Sequence, residues 1–113
     1  LIVGSGMSFH NMQAMMNPGS SLEQSCAFDM WLEHACAASS TTRSAQLAAW
    51  TEAPSARFCH PREEHLLPLM VAAGAAENET GRKVFEDVVM GAKVSAFEFG
   101  GPAPLTGEAD LVA

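Results

Sequence analysis

Basic residues are scarce in this sequence. Lys and Arg total 6 against 13 Asp and Glu, a formal net charge of -7 over 113 residues. Phosphate binding needs a cationic face, so nucleic acid is excluded as the main partner. The few bases are scattered apart from Arg82-Lys83, and no polybasic patch exists to hold an anionic membrane. No apolar run approaches the 18 or so residues of a membrane span. Residues 1–3 are too short for the core of a signal peptide. Cysteine is sparse: Cys26, Cys36 and Cys59 share no CxxC spacing. An odd, scattered set fits reduced thiols in a cytoplasmic protein, not a disulfide framework. Tyrosine is absent altogether, which decides nothing.

Two glycine motifs are also missing. Gly4-Ser5-Gly6 begins like a phosphate loop, but Phe9 stands where GxGxxG needs its last glycine. A nucleophile elbow around Ser8 fails because His10 replaces the final glycine. No internal repeat is visible. What remains is 48% hydrophobic and 17% charged, enough for one small domain with one core.

The chain opens on Leu1-Ile2-Val3-Gly4-Ser5-Gly6, which reads as a buried strand over 1–5 running into a glycine turn. That start looks like the inside of a larger α/β protein, although a processed start would look the same. Residues 7–19 read as an irregular loop closed by Asn17-Pro18-Gly19. An amphipathic helix is expected over 21–37, capped by Ser20 or Ser21. Leu22, Cys26, Met30 and Ala37 mark its inner face, broadened by Phe28, Trp31, Leu32 and Ala35. A second helix is expected at 42–52, with Leu47 and Trp50 as anchors and Pro54 as its stop. After a loop at 54–63, a third is expected over 62–76, with Pro68 bending it or marking its first turn. Residues 84–90 and 92–99 read as strands around Gly91. The expected fold is α/β: a partial mixed sheet with two or three helices packed on it, over residues 1–100. Residues 101–113 are rich in Gly, Pro and Ala and read as a loose tail.

The four histidines are the main candidates for chemistry. His10 follows the glycine turn, where a side chain can project at a sheet edge that favours ligands. A turn histidine bonding nearby backbone is the commoner arrangement. His60 and His65 are five apart, off one helical face, and HxxxxH is not a usual zinc spacing. His65 near a helix start is either a ligand or a capping and surface residue. His34 reads as a surface residue of the first helix. The cluster Met7, Met12, Met15 and Met16 reads as packing.

Several runs, taken in order, change these weights. Gly4-Ser5-Gly6-Met7-Ser8-Phe9-His10-Asn11, Phe28-Asp29-Met30-Trp31-Leu32, Ala53-Pro54-Ser55-Ala56-Arg57, His60-Pro61-Arg62-Glu63-Glu64-His65-Leu66-Leu67-Pro68-Leu69 and Gly74-Ala75-Ala76 stand in sequence. Together they resemble the C-terminal part of the class III, LigB-type extradiol ring-cleavage dioxygenases, and most of all their DOPA-dioxygenase-like branch. The resemblance spans about 100 residues. Each motif alone is modest.

Such enzymes use Fe(II), with Zn(II) able to take its place, to open a catechol-type aromatic ring with O₂. The resemblance puts His10 at the acid/base position and His65 at the third metal-ligand position. His60 and Asn11 become weak candidates for the substrate edge or the groups behind it. The family's first two metal histidines have no counterpart in this sequence. The chain alone is therefore expected to be inactive, with an incomplete site, and to cover its unsatisfied surface by forming a homo-oligomer. The competing reading is a small non-catalytic binding or oligomerising domain, or a subunit completed by a separate chain.

Overall fold

The spine of the molecule is one helix with polar residues on its buried side. The computed structural model describes residues 1–17 and 19–101. Helix α1 (Met12–Met15) is a single turn, and α2 (Leu22–Ala37) is the 16-residue spine. Helix α3 (Ser40–Ala48) runs into a 3-10 turn at Trp50–Glu52, and α4 (Ala56–Cys59) is again one turn. Helix α5 (Leu67–Ala75) precedes the strands β1 (Gly81–Val89) and β2 (Ala92–Phe99). The fold is α/β, with the helices packed around one antiparallel hairpin. Residues 102–113, the bulk of the expected tail, lie outside the described residues.

Helix α2 begins where expected, with Glu23 in its first turn and His34 in its last, both matched to the helix dipole. Its orientation differs from the apolar count. Ser25, Phe28, Asp29, Leu32, Ala35 and Cys36 face inward, while Leu22 and Met30 are exposed. The reason is that two polar residues on the stripe have partners across the core. Ser25 Oγ accepts the N–H of Lys93 at 2.9 Å. Asp29 takes the Lys83 ammonium on one carboxylate oxygen and the Ser95 hydroxyl on the other.

The hairpin turns through Met90 and Gly91, both at positive φ (52° and 81°). That two-residue geometry matches the twist of the strands, and glycine is the residue that adopts it without strain. A bulge at Val84 shifts the register between Lys83 and Phe85. Pro68 sits in the first turn of α5, where its missing N–H costs nothing. The expected helix at 62–76 therefore starts later, and residues 62–66 form turns.

The expected first strand is not formed. Residues 1–5 have no ladder partner among the described residues, and Leu1, Ile2 and Val3 are exposed. An apolar run becomes a strand only when another strand satisfies its backbone. The core lies instead around Phe9, Met15, Phe28, Leu32, Trp50 and Leu66. A satellite cluster of Ala35, Leu47 and Ala73 joins it through Trp31, Met70 and Phe99. Arg43 secures that second cluster. Its buried guanidinium donates to the carbonyls of Glu79 at 2.7 Å and Glu77 at 2.6 Å, and it lies 4.9 Å over the Phe99 ring.

The Asp29–Lys83 contact is the buried ion pair of the fold, with side chains 3% and 10% exposed. Burial works against the Lys83 ammonium. The carboxylates of Asp29, Glu86 and Glu33 outweigh that penalty and hold its pKa above the ordinary lysine value. Removing the acid takes away the one buried carboxylate at Lys83 and the acceptor of the Ser95 hydroxyl, so Asp29→Ala is expected to lose about 3 kcal/mol in chemical denaturation, the low end for a broken buried pair because Glu33 and Glu86 remain. Asp29→Leu combined with Lys83→Met should recover much of that loss. A double variant no more stable than Asp29→Ala would show that the pair is not the source.

Candidate functional site at the His10–His65 stack

The segment 7–10 is held by its backbone on every side. Met7 N–H donates to the His65 carbonyl at 2.9 Å, and His10 N–H donates to the Cys59 carbonyl at 2.9 Å. Between them, Ser8 Oγ accepts the Ser95 N–H at 2.8 Å. Phe9 is buried and anchors the segment in the core. Just upstream, a Cβ on Gly6 would lie 2.4 Å from the His65 carbonyl oxygen. The glycine turn read from the sequence is therefore needed for close approach to the 65–68 backbone.

This clamp brings His10 against His65. Their rings stack with centroids 3.5 Å apart and planes 14° apart. His10 is half-buried, and His65 is exposed on the turn that leads into α5. Asn11 follows His10, and both ends of its side-chain amide are hydrogen-bonded. Its Oδ1 caps α1 by accepting the Ala14 N–H at 3.0 Å, and its Nδ2 donates to the Phe58 carbonyl at 2.8 Å. Asn11 thus fixes the backbone next to His10.

His60 is set apart from the stack and is fully buried. It packs against Phe28 and the edge of Trp50. Its Nε2 donates to the Ser8 carbonyl at 2.9 Å, which leaves Nδ1 as the bare nitrogen, buried with no hydrogen-bond partner. His60 therefore braces the 7–10 segment from beneath. His34 is exposed on α2, as read from the sequence.

Two clefts meet at His65. One, of about 400 Å³, is lined by His10, Asn11, Met12, Arg62, Glu64 and His65. Arg62 and Glu64 form an exposed ion pair at its rim, 3.2 Å apart. A wider cleft of about 720 Å³ runs between residues 1–8, α5 and β2, with Leu69, Ala72, Phe97 and Phe99 among its apolar walls. A planar apolar ligand could lie in the wider cleft with its polar edge toward His65.

Imidazole moves protons and ligates metals near neutral pH. Its lone pairs lie in the ring plane, so two nearly parallel rings do not converge on one ion. Among the described residues, no three His, Cys, Asp or Glu side chains are grouped to hold a metal. By themselves these residues do not fit an iron centre. The cysteines add nothing to the chemistry. All three are free, and burial pushes Cys36 and Cys59 up to about 12, so neither is a thiolate at neutral pH.

The sequence reading named His10 and His65 as candidates, and the structure stacks them, but what holds them was not foreseen. Ser8 and His60 lie within the runs quoted above, but nothing local in the sequence pairs Ser8 with Ser95 or with His60. Their roles exist only through contacts between residues far apart in the chain.

No family model matches the chain. It is 31% identical over 112 residues to the dioxygenase tasH of Hapsidospora irregularis. That alignment covers 88% of this chain and 34% of the relative. The chain thus spans about a third of the length of the curated relative it matches.

Two outcomes follow from this geometry. Burial lowers the His60 pKa from its ordinary 6.5; the bond to Ser8 opposes the shift, and His10 and His65 add to it. As pH falls below about 6.5, the unfolded chain takes up a proton that the folded chain refuses. Stability is then lost, by at most about 1.4 kcal/mol per pH unit from this group. Denaturation at several pH values should show a shallower slope in His60→Gln, whose amide can still reach Ser8. An equal slope in the two proteins would remove His60 as the source. Gly6→Ala should separate the 7–10 segment from His65, seen as faster amide exchange at Met7 with the amides that pair β1 to β2 unchanged.

Proposed function

We propose that this chain supplies part of the active site of an extradiol dioxygenase that opens a catechol-type aromatic ring with O₂. The observation that carries the reading is the stack of His10 on His65 at the meeting of two clefts, one of them apolar-walled. The similarity to a protein named as a dioxygenase supports it. In this reading His10 moves the phenolic proton, and His65 is a ligand of Fe(II), or of Zn(II) in its place. Ring opening needs open metal positions for catecholate and O₂, framed by histidine and carboxylate ligands. The two histidines cannot complete that set, so the remaining ligands come from beyond these residues, in the same polypeptide or another. His60 acts from beneath the site by bonding Ser8, and Asn11, on the wall of the smaller cleft, bonds Phe58 and Ala14.

The test is an anaerobic Fe(II) titration followed by oxygen uptake with catechol. The chain alone should bind the metal weakly and show no turnover. His65→Ala should abolish the weak binding with no change in the circular dichroism spectrum. Tight one-to-one binding with ring opening by the chain alone would overturn the claim of an incomplete site. Binding left intact by both His65→Ala and His10→Ala would overturn the site itself. It would also favour the alternative of a non-catalytic oligomerising domain, a reading supported by the exposed apolar residues of β1.

A further inference from the structure

The two outer edges of the hairpin are treated differently. In a hairpin with a two-residue turn, the closing pair Val89 and Ala92 is hydrogen-bonded, and the bonds alternate from there. The N–H groups of Lys93 and Ser95 therefore point away from β1, and both are taken by hydroxyls, Ser25 Oγ and Ser8 Oγ. On β1, the N–H groups of Glu86 and Val88 point outward. Val88 reaches only the carboxylate of its neighbour Asp87, at 2.8 Å. Among the described residues, no backbone bond from another element reaches this edge. Val84, Phe85, Val88, Val89 and Met90 are exposed along it, an uncovered edge of the kind that pairs with another strand.

The charges of β1 select the occupant. Arg82-Lys83-Val84-Phe85-Glu86-Asp87 reads as two bases, two apolar residues and two acids. Laid antiparallel on a copy of itself, with the axis between Val84 and Phe85, Arg82 stands opposite Asp87 of the other copy, and Lys83, its ammonium held by Asp29 of its own chain, stands opposite Glu86. An axis through Glu86 would set that residue against its own copy. The favoured register needs Lys83 and Glu86 on one face of the strand, although they are three apart. The bulge at Val84 provides this, since their cross-strand partners Phe97 and Ser95 share a face and Lys83 Nζ reaches Glu86 at 2.8 Å.

We propose that β1 is a dimer edge. The outer edge of β1 pairs antiparallel with β1 of a second copy, giving a continuous four-stranded sheet about a two-fold axis between Val84 and Phe85. Opposite charges across the junction set the register, and Val84 of each copy is covered by Phe85 of the other. This interface is separate from the histidine site and does not rest on the proposed reaction.

Mass measurement by light scattering tests it with charge reversals. Asp87→Lys reverses an exposed side chain. Arg82→Glu with Glu98→Arg reverses the other end while keeping the ion pair within the hairpin, which spans 2.7 Å in the parent. The parent should be a dimer, each variant a monomer, and the equimolar mixture a dimer again. A monomeric parent, a dimer that survives both reversals, or a mixture of folded variants that stays monomeric would each overturn the proposal. Should either variant fail to fold, amide exchange at Glu86 in the parent decides. Slowing with protein concentration supports the edge, and exchange independent of concentration overturns it.

Discussion

A carboxylate buried on a helix is the constraint from which much of this fold follows. Asp29 lies on the core face of α2, where an unpaired charge would not be tolerated. Its two oxygens are met by Lys83 from β1 and Ser95 from β2. One side chain thus fixes the position of both strands relative to the helix. Ser25, one turn earlier on α2, accepts the Lys93 N–H and fixes the hairpin a second time. The rotation of α2 then follows from polar contacts, and Leu22 and Met30 are turned outward as a result.

That constraint reaches the histidines in a few steps. With Ser95 held by Asp29, its N–H is presented to Ser8. Ser8 in turn gives its carbonyl to His60, packed between Phe28 and Trp50. The segment that ends in His10 is therefore tied to the hairpin on one side and to the core on the other. His65 is set by the turn at the start of α5, to which Met7 is bonded. Two residues far apart in the chain are stacked because the backbones that carry them are joined.

The sequence made the local features legible. Helix α2, the strands around Gly91 and the first-turn role of Pro68 follow from apolar spacing, turn residues and proline stereochemistry, which act within a few residues, although Ser21 at the start of α2 makes no capping hydrogen bond. His10 and His65 stood out only through an ordered likeness to a family, and the structure sets them together. The inner face of α2 was read correctly at Phe28, Leu32 and Ala35 but misread at Leu22 and Met30, because Ser25 and Asp29 look like solvent-facing residues until their partners on the hairpin are known. The strand expected at 1–5 was misread for a related reason. Hydrophobicity marks a segment that can be buried, but a strand also needs a neighbour to bond. Arg43 is a third case: a single cation in a polar helix, whose place over Phe99 and under two carbonyls depends on the turn after α5.

The placement of His60 carries a consequence for the stack. A buried histidine that donates through Nε2 keeps a bare Nδ1, and protonating that nitrogen would put a charge where no acceptor waits. The same proton would stand near His10 and His65, whose charges oppose it. His60 is thus most stable as the neutral ring, and in that form it holds the Ser8 carbonyl. The side chain that looks most like a third member of the histidine cluster does its work by staying uncharged beneath it. Its Nε2 is committed to backbone, and its Nδ1 lies buried without a hydrogen-bond partner.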